Sequence, residues 1–191
     1  LTKRLGVFEG PNLRAMTDTI QSLAGDNSER SRTTLEGILR FMLSSDIQLT
    51  DDRNRSLAEM DEISKLEWVP SIDGGLRAAS DSMLPTPKNR QLMGDDFERF
   101  AKIPPELFDK LAPSVIDKRA ALIGIRKVPE VEDMLAVIAV AMAKEANVSE
   151  AIFDELSKET RAPGHPNTTY ERRLPGKIGY YSGKRWWAPH E

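Results

Sequence analysis

The longest apolar run in the chain lies between Pro129 and Glu159, and its internal spacing leaves little choice of structure. Val131, Met134, Leu135, Ile138, Ala141 and Met142 recur at intervals of three and four, the stripe of an amphipathic helix. Val137, Ala139, Val140 and Ala143 fill most of the remaining circumference. A helix that is apolar nearly all round is normally enclosed by other helices. Asn147, with Glu150 three residues on, reads as a capping box opening a second helix, striped by Val148, Ile152, Phe153 and Leu156. A helical hairpin is expected here, with the rest of the chain packed around it. The strongly apolar part, Met134 to Ala143, is too short to cross a bilayer as a helix.

Composition narrows the class. Of 191 residues 39% are hydrophobic and 30% charged, which suits a core of limited size. The absence of cysteine excludes disulfides, zinc–thiolate sites, iron–sulfur ligation by Cys and a Cys nucleophile. Residues 1–10 carry charges early and no apolar run, so no secretory leader is read there. The sequons at Asn147 and Asn167 then read as chance matches in a soluble intracellular protein. Charge is unevenly spread. From Arg161 to Glu191 six Lys/Arg face two Asp/Glu, a surplus of four positive charges. The overall net charge of −3 leaves the body seven negative.

Taken in order, residues 1–10 form an irregular lead-in and residues 11–68 an N-terminal helical group. Pro11 opens a helix striped by Leu13, Met16, Ile20 and Leu23, and Gly25 stops it. A second helix is predicted from Thr33, boxed by Glu36, with Leu35, Ile38, Leu39, Met42 and Leu43 inward. A third is predicted from a Thr50 cap, with Leu57, Met60, Ile63 and Leu66 inward. Residues 69–94, broken by Pro70, Gly74, Gly75, Pro85, Pro87 and Gly94, read as a connector in which Leu76–Met83 suits a short helix. Residues 95–160 form a C-terminal helical group: Phe97 and Phe100 on a short helix, Pro104–Leu111, Ser114–Ile125, then the helical hairpin. Pro105 and Pro113 stand at helix starts, where a missing N–H does little harm. The expected class is all-α, a helical bundle or short helix-pair array of about eight helices, with no strand alternation outside the tail.

The segment from Pro105 to Glu159 resembles the helix-pair repeats of organellar proteins, such as octotricopeptide-like and FAST-kinase-like arrays. The resemblance rests on the Ala-rich helix Val131–Ala143 and the short helix around Ile152–Leu156. Leu107–Leu111 echoes Ile152–Leu156 at an offset of 45 residues. Such families act as scaffolds or in RNA handling, mostly in mitochondria and plastids, so the resemblance implies a mitochondrial setting.

Residues 161–191 form an extended arm, basic and aromatic. They hold all three tyrosines, both histidines and two of the three tryptophans, together with prolines and glycines that interrupt regular structure. Tyr, Trp and Arg are the types most enriched at interface hot spots. The candidate partner-binding residues are Tyr170, Arg172, Arg173, Lys177, Tyr180, Tyr181, Lys184, Arg185, Trp186 and Trp187. Three readings fit the arm. It lies on a protein partner; it folds back on its own acidic body; or it binds nucleic acid, with Lys/Arg on phosphates and aromatics stacked on bases.

Catalytic signatures are missing. The chain has no phosphate loop, no G-x-G-x-x-G, no G-x-S-x-G and no HExxH, and His165 and His190 lack metal-ligand spacing. Asp51–Asp52, Asp95–Asp96 and Glu130/Glu132/Asp133 read more simply as helix-start charges than as ion sites. The expectation is a protein that is not an enzyme and carries no cofactor and no metal. It is expected to be an accessory or scaffold subunit of a large multiprotein assembly, in a mitochondrial respiratory or ATP synthase complex. The alternative is a ribosomal or viral nucleic-acid-binding helical protein.

Overall fold

The computed structural model describes residues 13–45, 53–95, 97–144, 146–161, 180–182 and 185–187. Among them are eight helices and two short β-hairpins. The helices are α1 (Leu13–Leu23), α2 (Glu29–Ser44), α3 (Arg53–Ser64), α4 (Pro87–Met93), α5 (Pro105–Lys110), α6 (Pro113–Leu122), α7 (Val131–Ala143) and α8 (Glu150–Arg161). The strands are β1 (Glu67–Pro70), β2 (Leu76–Ala78), β3 (Tyr180–Ser182) and β4 (Arg185–Trp187). The chain is helical in the main, as the apolar spacings require. It divides into two compact units, Leu1–Pro85 with Glu98–Val128, and Thr86–Phe97 with Pro129–Glu191.

The first unit is built around Trp68. β1 and β2 pair antiparallel, with Glu67 opposite Ala78 and Val69 opposite Arg77, so Trp68 is an extra residue, a bulge. A bulge breaks the strict alternation of faces, and here Trp68 and Val69 are both wholly buried although adjacent. The apolar stripes of α1 (Met16, Ile20), α2 (Leu35, Leu39, Met42, Leu43), α3 (Met60, Ile63) and α6 (Ile116, Ala120) join them in one core. Single bridges widen the hairpin. Ser71 pairs with Ala101, and Met83 pairs in parallel with Phe100 and with Arg126. The bonds are short: Lys102 N to Pro70 O at 2.7 Å, Met83 N to Arg99 O at 2.8 Å, Arg126 N to Ser82 O at 2.9 Å.

Several expectations are corrected. The stretch 67–78, read as helix end and connector, is a β-hairpin, and Ala79–Asp81 is a 3-10 turn. The reason is the turn: Gly74 has φ 89° and Ser71 N donates to Gly75 O at 3.0 Å, which folds Leu76 back onto Pro70. Phe100 sits on a bridge instead of a helix, because its carbonyl accepts from Ile72 N. α2 begins at Glu29, one turn before the expected start, because the Ser28 side chain accepts from Ser31 N. Thr33 Oγ1 instead donates to Glu29 O inside the helix. On α3, Ser56 is buried and Leu57 is 41% exposed. The expected Thr50 cap lies outside the described residues.

In the second unit α4 packs on α7 and α8. Thr86 caps α4 and Pro87 opens it, and Lys88 Nζ bonds Glu155 Oε1 on α8 at 3.1 Å. Glu130 and Asp133 form a reciprocal capping box at the start of α7. α8 begins at Glu150 instead of after an Asn147 cap, and its first turn closes with Ile152 N donating to Ser149 O at 3.1 Å. α7 was expected to organise the whole chain, yet it is absent from the core around Trp68. It buries Met134, Leu135, Ile138 and Ala141. Ala136, Ala139, Val140 and Ala143 stay exposed, Val140 by 52%.

Two glycines give opposite predictions. Gly124 has φ 91° and ends α6 in a Schellman closure, with Ile125 N bonding Ala120 O at 2.9 Å. A Cβ there would lie 2.6 Å from Ser64 Cβ. Gly37 lies inside α2 with nothing within 4 Å of a Cβ. In urea unfolding Gly124→Ala should cost at least about 2 kcal/mol, while Gly37→Ala should stabilise by about 0.5–1 kcal/mol. Trp68 Nε1 meets no acceptor among the described residues. Trp68→Ala should therefore cost about 3–5 kcal/mol and Trp68→Phe much less, since the latter keeps a ring and removes an unsatisfied donor.

Candidate functional site

Two surfaces carry the polar and aromatic chemistry. The first is the arm. β3 and β4 pair antiparallel, with Tyr180 opposite Trp187, Tyr181 opposite Trp186 and Ser182 opposite Arg185. Five of the expected partner-binding residues thus meet in one hairpin of three-residue strands. Tyr170, Arg172, Arg173, Lys177 and Lys184, and both histidines, lie outside the described residues.

The second surface was not foreseen. A groove runs along α2 in the first unit. One end, of about 210 Å³, is lined by Glu29, Arg32, Pro70, Ser71 and Gly74. The other, of about 540 Å³, is lined by Gly37, Arg40, Ile103, Pro104, Pro105 and Glu106. Between them Lys102 Nζ crosses to Glu36 Oε1 at 2.6 Å. Arg40 Nη2 meets Glu106 Oε1 at 3.0 Å, and Arg32 Nη1 donates to Gly74 O at 2.6 Å. These ion pairs are solvent-exposed and contribute about 0–1 kcal/mol each. Three acids and three bases line the groove, so it favours neither anion nor cation. Residues 32, 36 and 40 do form a legible i, i+4, i+8 charged stripe. Their partners are not legible, since Glu36 and Lys102 are 66 residues apart.

Two carboxylates are fixed by hydrogen bonds. In the turn after β1, Asp73 accepts from Ser71 Oγ, from Gly75 N at 3.1 Å and from Arg77 Nη2 at 2.9 Å. The Ser71 bond is the largest cause holding its carboxyl below the ordinary aspartate range, with Gly75 and Arg77 adding to it against a burial effect. Before α2, Asp26 accepts from Ser31 Oγ at 2.6 Å, Ser28 N at 2.9 Å and Ser28 Oγ at 3.0 Å. Its carboxyl is lowered chiefly by Ser31, then by Ser28. A carboxyl held in its charged form is a weak proton acceptor at neutral pH. Both acids serve to close turns.

Of the acidic clusters, Glu130 and Asp133 cap α7, and Asp95 pairs with Arg90 at 3.2 Å. Asp51, Asp52 and Asp96 lie outside the described residues. Among the described residues no three His, Cys, Asp or Glu side chains gather as metal ligands would, and no helix is long and apolar enough to cross a membrane. Compared with protein-family models, curated proteins and solved structures, the chain finds no match.

The two turn aspartates make stability depend on pH. Each has a folded pKa below its unfolded value, so its contribution is complete above the unfolded value of 3.8 and is lost as pH falls through the folded one. The thermal midpoint should be level between pH 5 and 7 as far as these groups act, and should drop below about pH 4. Asp26→Asn and Asp73→Asn should each lower the midpoint at pH 7 and flatten the acid limb, as read by circular dichroism melts.

Proposed function

We propose that the chain is a non-catalytic accessory or scaffold subunit of a large multiprotein assembly, anchored to its partner by the hairpin of β3 and β4. The observation that supports this is the register of that hairpin, which sets each tyrosine opposite a tryptophan. Cross-strand aromatic pairs contribute about 0.2–1 kcal/mol each, and an isolated two-stranded hairpin is marginal in water. Strands of three residues therefore gain their order from a surface they lie on. Tyr, Trp and Arg are the residues that anchor such surfaces, the two aromatic types because they bury large area at little entropic cost. The groove along α2, neutral and walled by paired charges, supports the same reading, since it offers a protein edge both signs of charge. The mitochondrial respiratory or ATP synthase setting is part of this proposal and is carried by the helix-pair resemblance alone.

The test is native-gel complexome profiling of source cells, with one sample treated with nuclease. Co-migration with a large particle that survives nuclease is expected. Trp186→Ala/Trp187→Ala should weaken that association by about 30-fold or more, the effect of losing a hot spot of about 2 kcal/mol. A particle that collapses under nuclease, or binding whose affinity falls steeply with salt, would replace this reading with nucleic-acid binding by the arm.

A further inference from the structure

We infer that the groove along α2 seats the α2 of a second copy of this chain, the two helices running antiparallel about a two-fold axis. One face of α2 lines the whole groove: Glu29, Arg32, Thr33, Glu36, Gly37 and Arg40. Charge along that face runs minus, plus, minus, plus, and its midpoint falls between residues 34 and 35. Turned about that midpoint, the face is its own complement, as a two-fold interface requires. Glu29 of each copy stands opposite Arg40 of the other. Arg32 of each stands opposite Glu36 of the other, displaced along the axis by one residue, about 1.5 Å. A parallel pair would set Glu29 on Glu29 and Arg40 on Arg40, and like charges face to face are repelled.

Gly37 gives a second reason. Glycine inside a helix is destabilising relative to alanine, and nothing within the chain calls for it, since a Cβ would meet no atom within 4 Å. Gly37 lines the wider part of the groove, about 540 Å³, so the missing Cβ leaves room for another backbone to come close. In the two-fold pair Gly37 of each copy lies beside Thr33 of the other. Small residues thus meet where the helices cross, which lets the axes approach to about 8 Å. The groove's own ion pairs leave capacity for this. The side chains of Arg40–Glu106 and Glu36–Lys102 are 38–57% exposed, and a guanidinium or a carboxylate can hold a second partner. Glu29 makes no ion pair with a described residue, so Arg40 of the other copy supplies one. The contact uses no residue of the hairpin of β3 and β4, so it goes beyond the scaffold reading and stands independently of it. Six residues a side fall short of the roughly 20–30 of a stable interface, so the pair is weak, with a Kd on the order of 100 µM.

Sedimentation velocity of the full chain, at concentrations either side of that value, tests the pair. The parent should pass from monomer to dimer. Arg32→Glu/Arg40→Glu makes the charged face wholly acidic, and Glu29→Lys/Glu36→Lys makes it wholly basic. Circular dichroism melts establish that both variants fold. Each alone should self-associate at least about tenfold more weakly than the parent, and their equimolar mixture should recover the dimer. Gly37→Leu separates docking from folding. Its melting midpoint should equal or exceed the parent's, while dimerisation weakens by at least about tenfold. Trp186→Ala/Trp187→Ala should leave the dimer unchanged, which keeps this contact apart from the anchor of the proposed assembly. A parent that stays monomeric throughout would leave the groove to a different partner. A dimer indifferent to both charge swaps and to Gly37→Leu, or one lost with the tryptophans, would place the contact on another surface. Any of these results overturns the inference.

Discussion

The first unit depends on the burial of one indole. Trp68 occupies a bulge in β1, and the bulge lets it and Val69 both face inward, where a regular strand would have turned one of them to solvent. Three helices from before it in the chain and two from after it add apolar side chains to the same core. The small bridges at Ser71, Met83, Phe100 and Arg126 then follow, because the strand that carries Trp68 is held from both sides. Two backbone contacts secure the outside of this arrangement. Gly25 N donates to Glu67 O at 2.9 Å, and the α6 closure brings Gly124 against Ser64. In both places a glycine at positive φ does what a residue with a Cβ would do only under strain.

Much of the helical framework was legible. The stripes of α1 and α2, the stop at Gly25 and the proline starts of α5 and α6 all follow from local rules. The β-hairpin shows how prolines and glycines mislead when they count as breakage alone, since Asp73-Gly74-Gly75 between apolar flanks is a hairpin signal. α7 shows the opposite error. Its all-round apolarity implies enclosure, whereas only one side of it is enclosed. Periodicity says how much of a helix can be buried; the neighbours that do the burying are a tertiary fact.

The candidate surfaces divide along the same line. The residue types of the arm were visible in composition, but the pairing of each tyrosine with a tryptophan is a matter of register. The groove along α2 was invisible, since its width is set by pairs such as Arg40 with Glu106, which are remote in sequence. Asp26 and Asp73 illustrate a third case. Their partners lie within five residues, so Asx-turn chemistry could have identified them as structural acids.

The discontinuity of the first unit has a consequence for synthesis. The chain leaves that unit at Pro85 and returns at Glu98, and Ile116, Ala120 and Ile123 arrive some fifty residues after Trp68. At about 5–20 residues per second, α1 to α3 and the hairpin wait several seconds on the ribosome with their shared apolar side open. During that interval the nascent chain is a substrate for whatever binds exposed apolar surface. Its yield in a host cell will depend on translation speed between residues 85 and 125 as much as on final stability.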